Sequence, residues 1–149
     1  MTRGDQFPSP SGTAQHIISV DAMGSDRGPA AVVAGLVDCL RRHPGLQVIL
    51  HGDEAVLAPL LARAPTLAAR CTLVHAERTV TMADKPSHVM RHGEGTSMWS
   101  CIESVRQGQA GAAVSCGNTG ALMALSTIRL RRLPGVNRPA IACLWPSRN

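Results

Sequence analysis

Residues 17–29 read IISVDAMGSDRGP, a short apolar run followed by a loop that contains two glycines and a proline. The run from Ile17 to Val20 has the composition of a strand that is covered on both faces. Pro29 then opens a stretch with apolar residues at helical spacing, and proline is favoured in the first turn of a helix. The stretch therefore predicts a buried strand, a glycine-rich loop and a helix in succession.

The same alternation continues along the chain. Apolar runs predict further strands over residues 46–50, 71–75, 112–115 and 140–144. Helical periodicity predicts helices over 29–42, 53–64, 97–107 and 118–132, and the last would end in three arginines that complement the helix dipole, Arg129, Arg131 and Arg132. Strands that alternate with helices, without tight hairpins, indicate βαβ units.

The predicted fold class is therefore a doubly wound α/β fold, with a mostly parallel sheet and helices on both faces. It looks incomplete, because no helix follows the fifth predicted strand to cover it. Residues 1–15, rich in Ser, Pro, Gly and Thr, predict a disordered lead, and residues 16–149 form the folded part.

Composition narrows the class of protein. The five cysteines are odd in number and contain no C-x-x-C pair, which argues against a disulfide framework or a zinc site. The chain has neither a signal-peptide pattern nor an apolar stretch of about 18 residues, so we expect a cytoplasmic protein. The net charge is +5, but the arginines are scattered and aromatics are scarce, so nucleic acid is not an expected partner. A nucleotide, an acidic carrier protein or a membrane surface could each be attracted.

Two loops that follow predicted strands have the composition of anion sites. In the first, Asp21, Gly24 and Asp26 lie between the first strand and the first helix, where parallel sheets bind ligands. In the second, Ser115-Cys116-Gly117-Asn118-Thr119-Gly120-Ala121 lets backbone amides point at one spot, with Asn118 as an amide donor. The alternatives are a plain connecting loop for the first, and helix capping by Asn118 or Thr119 for the second.

Other side chains are weaker candidates. Lys85 is the only lysine of the chain and lies in Asp84-Lys85-Pro86-Ser87, just before a helix start, but it could equally be a solvated cation. His88 and His92 are four residues apart, yet no third ligand converges by spacing, so no metal site is expected. Cys116 could be a nucleophile or a small hydrophobic residue, and no base is identifiable near it. The stretch 51–54 (HGDE) could be no more than a turn into a helix.

Six stretches together resemble one family. They are ISVDAMGSDRGP, VILHGDE, LVHAERTVTMADKPS, GTSMWSCIESV, VSCGNTGALMAL and LPGVNRPAIA, and they lie within residues 17–142 in the order and spacing of the family. On these stretches the chain resembles the PlsX family of phosphate acyltransferases. Family proteins are about twice as long, so the similarity covers their N-terminal half.

The resemblance implies transfer of a fatty acyl group from acyl carrier protein to inorganic phosphate, giving acyl phosphate for phospholipid synthesis. It also implies a phosphotransacetylase-like fold, no cofactor, a cytoplasmic homodimer in the full-length form and peripheral membrane association. Two other hypotheses are a non-catalytic phosphate- or nucleotide-binding module and a truncated, inactive fragment.

Roles for individual residues follow as hypotheses. We expect Lys85, with the backbone amides of residues 117–120, to neutralise the charge of phosphate or of an oxyanion, with Asn118 as a directional donor. We expect Asp21 and Asp26 to order the first loop, and Gly24 to allow close approach. The expected phosphate contacts are completed by Ser87, Gly117, Thr119 and Gly120.

Overall fold

The computed structural model describes residues 16–142. Its sheet has four strands, β1 (His16–Asp21), β2 (Leu46–Gly52), β3 (Cys71–His75) and β4 (Ala112–Ser115). All neighbouring strands are parallel, and their order across the sheet is β3-β2-β1-β4. The first four predicted strands and the parallel α/β class are therefore confirmed.

Helices connect the strands. They are α1 (Pro29–Arg42), α2 (Glu54–Ala62), α3 (Pro65–Ala68), α4 (Pro86–His92), α5 (Ser97–Arg106) and α6 (Thr119–Arg129). The four helices predicted from periodicity are present: the bounds of α1 agree with the prediction, and the ends of the other three differ by at most three residues. The single turn of α3 is too short to show a period, and it was not predicted.

Two predictions near the end of the chain are wrong. Helix α6 ends at Arg129, so Arg131 and Arg132 do not lie in its last turn, because Arg131 adopts the left-handed conformation (φ 65°) that ends a helix. Residues 140–142 do not form a strand, since they follow an irregular segment with a positive-φ turn at Gly135 and with Pro139, which has no backbone donor. The rest of the predicted fifth strand and the predicted lead at 1–15 lie outside the described residues.

Helices pack on both faces of the sheet. Val20, Val48 and Leu50 point to one face, where they join an aliphatic core with the buried side chains of α1, α2 and α3. Ser19 and His51 point to the other face, where both contact α5. This alternation follows from the two-residue period of strands and confirms the predicted three-layer arrangement.

The strand order reverses at β1. The chain runs outward from β1 to β2 and β3, and then returns to place β4 on the other side of β1. In open parallel sheets, ligands bind at such a reversal, beyond the carboxyl ends of the two strands. The loops that follow β1 and β4 therefore lie where parallel sheets usually bind ligands.

Helices α5 and α6 are joined by side chains as well as by packing. Arg129 donates to Glu103 Oε2 through Nε and Nη2, at 3.1 and 2.8 Å, and its guanidinium lies 4.5 Å from the centre of the Trp99 ring. Such contacts fix the position of α6 relative to the sheet-covering helix. Among residues 16–142, no helix is long and apolar enough to span a bilayer.

Candidate functional site

The β1–α1 and β4–α6 loops touch backbone to backbone at Gly24 and Gly117. A Cβ built on Gly24 would lie 3.0 Å from Gly117 Cα, and one built on Gly117 would lie 2.9 Å from the Gly24 carbonyl oxygen. Neither position has room for a side chain without moving the opposite loop. The two glycines therefore let the loops meet in direct backbone contact. The sheet edge beyond this contact, where the strand order reverses, is here called the crevice.

Asp21 connects the same two loops through its carboxylate. This side chain is buried, and its Oδ1 accepts from the Met23 amide at 3.2 Å. Its Oδ2 accepts from Ser115 Oγ at 2.8 Å, and Ser115 Oγ in turn accepts from the Gly117 amide at 3.2 Å. Ser115 was not predicted to have a role in ordering the loops, although the parallel register places it beside Asp21.

Asp26 lies at the exposed tip of the first loop. Ser25 accepts two hydrogen bonds within this turn. Its carbonyl accepts from the Gly28 amide at 2.9 Å, and its hydroxyl accepts from the Arg27 amide at 3.3 Å. Gly28 then takes a positive φ of 75° as α1 begins. The structure thus places Asp21 at the base of the crevice and Asp26 at the surface.

Asn118 caps α6 and also reaches a third loop. Its Oδ1 accepts from the Ala121 amide at 3.0 Å, which identifies the capping oxygen. Its Nδ2 lies 3.1 Å from the Thr81 carbonyl oxygen, 2.9 Å from that of Asp84 and 3.5 Å from that of Met82. The two hydrogens of the amide therefore point at backbone carbonyls of the protein itself.

Lys85 lies at the N-cap position of α4, directly after that third loop, and it is exposed. The first turn of α4 approaches the first turn of α6, since a Cβ on Gly120 would lie 3.0 Å from Pro86 Cγ. Ser87 and Thr119, both exposed, belong to these two turns. The structure therefore brings most of the predicted residues, from three separate loops, to one edge of the sheet.

The sequence placed His51 in a turn that leads into a helix, whereas the structure buries it within β2. His51 is fully buried near the carboxyl end of β2 and pairs in register with Asp21. Its Nε2 lies 2.8 Å from Ser19 Oγ, and its Nδ1 lies 2.8 Å from Ser100 Oγ on α5. Ser19 Oγ donates to the Cys101 carbonyl at 2.9 Å, so it accepts from Nε2–H, and Nδ1 is then the acceptor for Ser100.

Burial decides the charge of this histidine. Desolvation lowers the pKa of His51 from 6.5 to about 4, against the opposing effect of the nearby Asp21 carboxylate. The imidazole is therefore neutral at neutral pH and serves as a hydrogen-bonded link between the sheet and α5. No local pattern in the sequence indicates these contacts, because Ser19 and Ser100 lie 32 and 49 residues away from His51.

The described cysteines near the sheet differ in character. Burial raises the pKa of both Cys71 and Cys101 to about 11, so neither is a thiolate at neutral pH. Cys116 is exposed, at the tip of the β4–α6 loop. Within residues 16–142, no three potential metal ligands from His, Cys, Asp or Glu come together.

Comparisons with known proteins identify the family of the chain. The family model described as "Fatty acid synthesis protein" matches residues 17–149. A phosphate acyltransferase of Cereibacter sphaeroides is 67% identical over 145 residues, which are 97% of this chain and 39% of that protein. The phosphate acyltransferase of Paracoccus denitrificans is 68% identical over 133 residues, 89% of this chain and 36% of that protein.

A third phosphate acyltransferase, from a Ruegeria species, is 59% identical over 146 residues, 98% of this chain and 39% of the relative. The chain thus spans between a third and two fifths of the length of these curated relatives, which is less than the half expected from the resemblance. Since the family model covers nearly all of the described residues, the chain belongs to the fatty acid synthesis protein family.

Proposed function

We propose that this chain supplies the phosphate-binding part of a phosphate acyltransferase. The enzyme would transfer a fatty acyl group from the thioester of acyl carrier protein to inorganic phosphate, and the acyl phosphate would serve phospholipid synthesis. The observation that carries the proposal is the crevice between the β1 and β4 loops, with the start of α6 and Lys85 at its edge. The names of the relatives support the same reaction class.

The phosphate contacts that we propose are backbone amides and one cation. The Gly117 amide already donates a hydrogen bond to Ser115 Oγ, and the Ala121 amide donates to the capping oxygen of Asn118. The first turn of α6 therefore leaves the amides of residues 118–120 for an anion, because no preceding helical carbonyl can accept them. The exposed Lys85 ammonium would add a positive charge close to this turn.

The chemistry needs no nucleophile from the protein. An oxygen of phosphate attacks the thioester carbonyl carbon, a C–O bond forms, the C–S bond breaks, and the carrier thiolate leaves and takes up a proton. Such a reaction needs two reactants held in line and a stabilised oxyanion.

We further propose that the full-length enzyme is a cytoplasmic homodimer that associates peripherally with the membrane. Its partners would be acyl carrier protein and inorganic phosphate. These proposals rest on the family to which the chain belongs. Phosphate contacts from Ser87 and Thr119 stay predictions. A direct contact between Asn118 and an oxyanion also stays a prediction, and it would require the Asn118 amide to release the carbonyls of Thr81 and Asp84.

The test is acyl phosphate formation, trapped with hydroxylamine, from acyl carrier protein thioester and phosphate. It would use the purified chain and, in parallel, the full-length Cereibacter sphaeroides relative. Lack of phosphate-dependent product from the full-length relative would refute the proposed reaction. Product from the relative but not from a folded sample of this chain would assign essential groups to the remainder of the longer protein.

The role of Lys85 is tested by Lys85→Met with Arg91→Met as the matched control, since both remove one exposed cation from the α4 region. A hydrogen bond to a charged group contributes about 1.5–3 kcal/mol, so we expect the phosphate concentration at half-saturation to rise by roughly tenfold or more for Lys85→Met. The control should stay within about twofold, as expected of a surface charge. Equal effects of the two substitutions would mean that phosphate responds to the overall positive charge of the α4 region, and they would refute a specific contact with Lys85.

A further inference from the structure

The oxygen and the nitrogen of the Asn118 side-chain amide make different contacts. Its oxygen caps the helix to which it belongs, through the Ala121 amide. Its nitrogen leaves that helix and donates to carbonyls of residues 81–84, which are 34 to 37 residues away in the chain. A plain helix cap needs only the oxygen, so the nitrogen contacts call for a separate explanation.

The segment that the nitrogen holds is a closed turn, here called the 81–84 turn. The Asp84 carboxylate accepts from the Thr81 amide at 2.7 Å and from the Thr81 hydroxyl at 2.8 Å. The Asp84 amide in turn donates to the Thr81 carbonyl at 3.2 Å. These bonds lower the pKa of Asp84, so the carboxylate stays charged and the turn stays closed at neutral pH. Three hydrogen bonds between its first and last residues therefore hold the turn closed.

Lys85 follows this turn directly and is the N-cap residue of α4. Because Asn118 fixes the turn against the start of α6, it also fixes where the backbone of Lys85 lies. A second contact acts in the same direction, since Pro86 packs where a side chain on Gly120 would be. The position of Lys85 relative to the backbone amides of α6 thus depends on the side-chain nitrogen of Asn118 and on the absence of a Cβ at Gly120.

We infer that Asn118 is a positioning residue that holds the 81–84 turn against α6 and thereby places Lys85 at the phosphate crevice. The inference rests on the proposed function for the part that concerns phosphate. The clamp itself is a statement about the turn, and it can be tested without any ligand. A residue that acts in this way has no amide hydrogen left for an oxyanion while the clamp is closed.

Asn118→Ser separates the cap from the clamp. Serine is a good helix cap, but its side chain is too short to reach the carbonyls of the 81–84 turn. In the purified chain we expect the amides of Thr81 and Asp84 to exchange with solvent about tenfold faster in this variant, because local opening no longer breaks the Asn118 bonds. The amides of Val56 and Leu57, which bond to the Asp53 carbonyl in a remote helix, serve as the internal control.

The phosphate arm uses a double-mutant cycle with Lys85→Met, in which inorganic phosphate is titrated into the chain and followed by ³¹P NMR. If Asn118 acts through Lys85, Asn118→Ser weakens phosphate binding by about tenfold alone and by less than about twofold in the Lys85→Met background. Effects that multiply in full would instead assign Asn118 an independent contact with phosphate, and would overturn the positioning role.

The two arms fail differently. Exchange at Thr81 and Asp84 that stays within about twofold of the unsubstituted chain refutes the clamp, whatever happens to phosphate. Faster exchange in a chain that does not bind phosphate supports the clamp and counts against the proposed phosphate site. Asn118→Ala loses the cap as well, so a much larger loss of thermal stability in that variant than in Asn118→Ser checks that the serine still caps α6.

Discussion

Between about pH 6.5 and pH 4, acid should destabilise this protein through the buried side chain of His51. The fold lowers the pKa of its imidazole to about 4, whereas the unfolded chain would have the ordinary value near 6.5. Between these two pH values the unfolded state binds more protons than the folded state, so the free energy of unfolding falls as the pH falls. The contribution of neutral His51 is complete above about pH 6.5 and is lost as the pH approaches 4.

The size of the effect follows from the same two values. Each unit of difference in pKa between the two states corresponds to about 1.4 kcal/mol, which gives a total loss of about 3 kcal/mol. Against an ordinary domain stability of about 5–15 kcal/mol this is a large fraction. Below about pH 4 the loss should level off, because the folded state is then protonated as well.

The assay is urea unfolding at a series of pH values from 7.5 to 4, with His51→Gln as the control variant. Glutamine does not titrate, and its amide can both donate and accept near Ser19 and Ser100. Acidic groups elsewhere titrate alike in both proteins, so the difference between their free energies of unfolding isolates His51. A difference that stays constant to within about 0.5 kcal/mol over the whole range would refute the claim that burial controls this histidine.

The glycines give further predictions, each measured by urea unfolding. Gly24→Ala would place a Cβ 3.0 Å from both the Asp21 carboxylate and the backbone of the facing loop, and we expect it to lower the free energy of unfolding by about 1–3 kcal/mol. Gly45→Ala, where a Cβ meets nothing within 4 Å, is its control and should change stability by less than about 0.5 kcal/mol. Gly35 lies exposed in the middle of α1 with open space around it, so Gly35→Ala should stabilise the protein by about 0.5–1 kcal/mol. A destabilising Gly35→Ala would mean that another surface covers this face of α1.

The strands and helices of the sheet could be predicted because each is indicated by residues that are close together in the sequence. An apolar run such as residues 46–50 and a helix start such as Pro29 are visible within a few residues. The end of α6 was misplaced because the left-handed conformation of Arg131 has no signature in a residue type that rarely adopts it. Helix α3 was missed because one turn shows no period.

The site was predictable only in part, for a related reason. The position of a loop after a parallel strand identifies the edge where Asp21 and Asn118 lie. The capping oxygen of Asn118 has its partner three residues away, and capping was one of the alternatives considered. Its nitrogen, like the ring of His51, has partners more than 30 residues away, and no local pattern indicates such contacts.

The strand order also has a consequence for how the chain folds. His16 pairs with Leu46 across a short connection, whereas Asp21 and Ser115, which join β1 to β4, are 94 residues apart. Long-range pairings form late, because the entropy of closing a large loop is lost before any contact is gained. During synthesis the three strands β3-β2-β1 are therefore available well before the crevice exists. An anion that bridges the two loops would bind only chains in which β1 and β4 have already paired. Its binding energy would therefore stabilise the strand pairing that forms last.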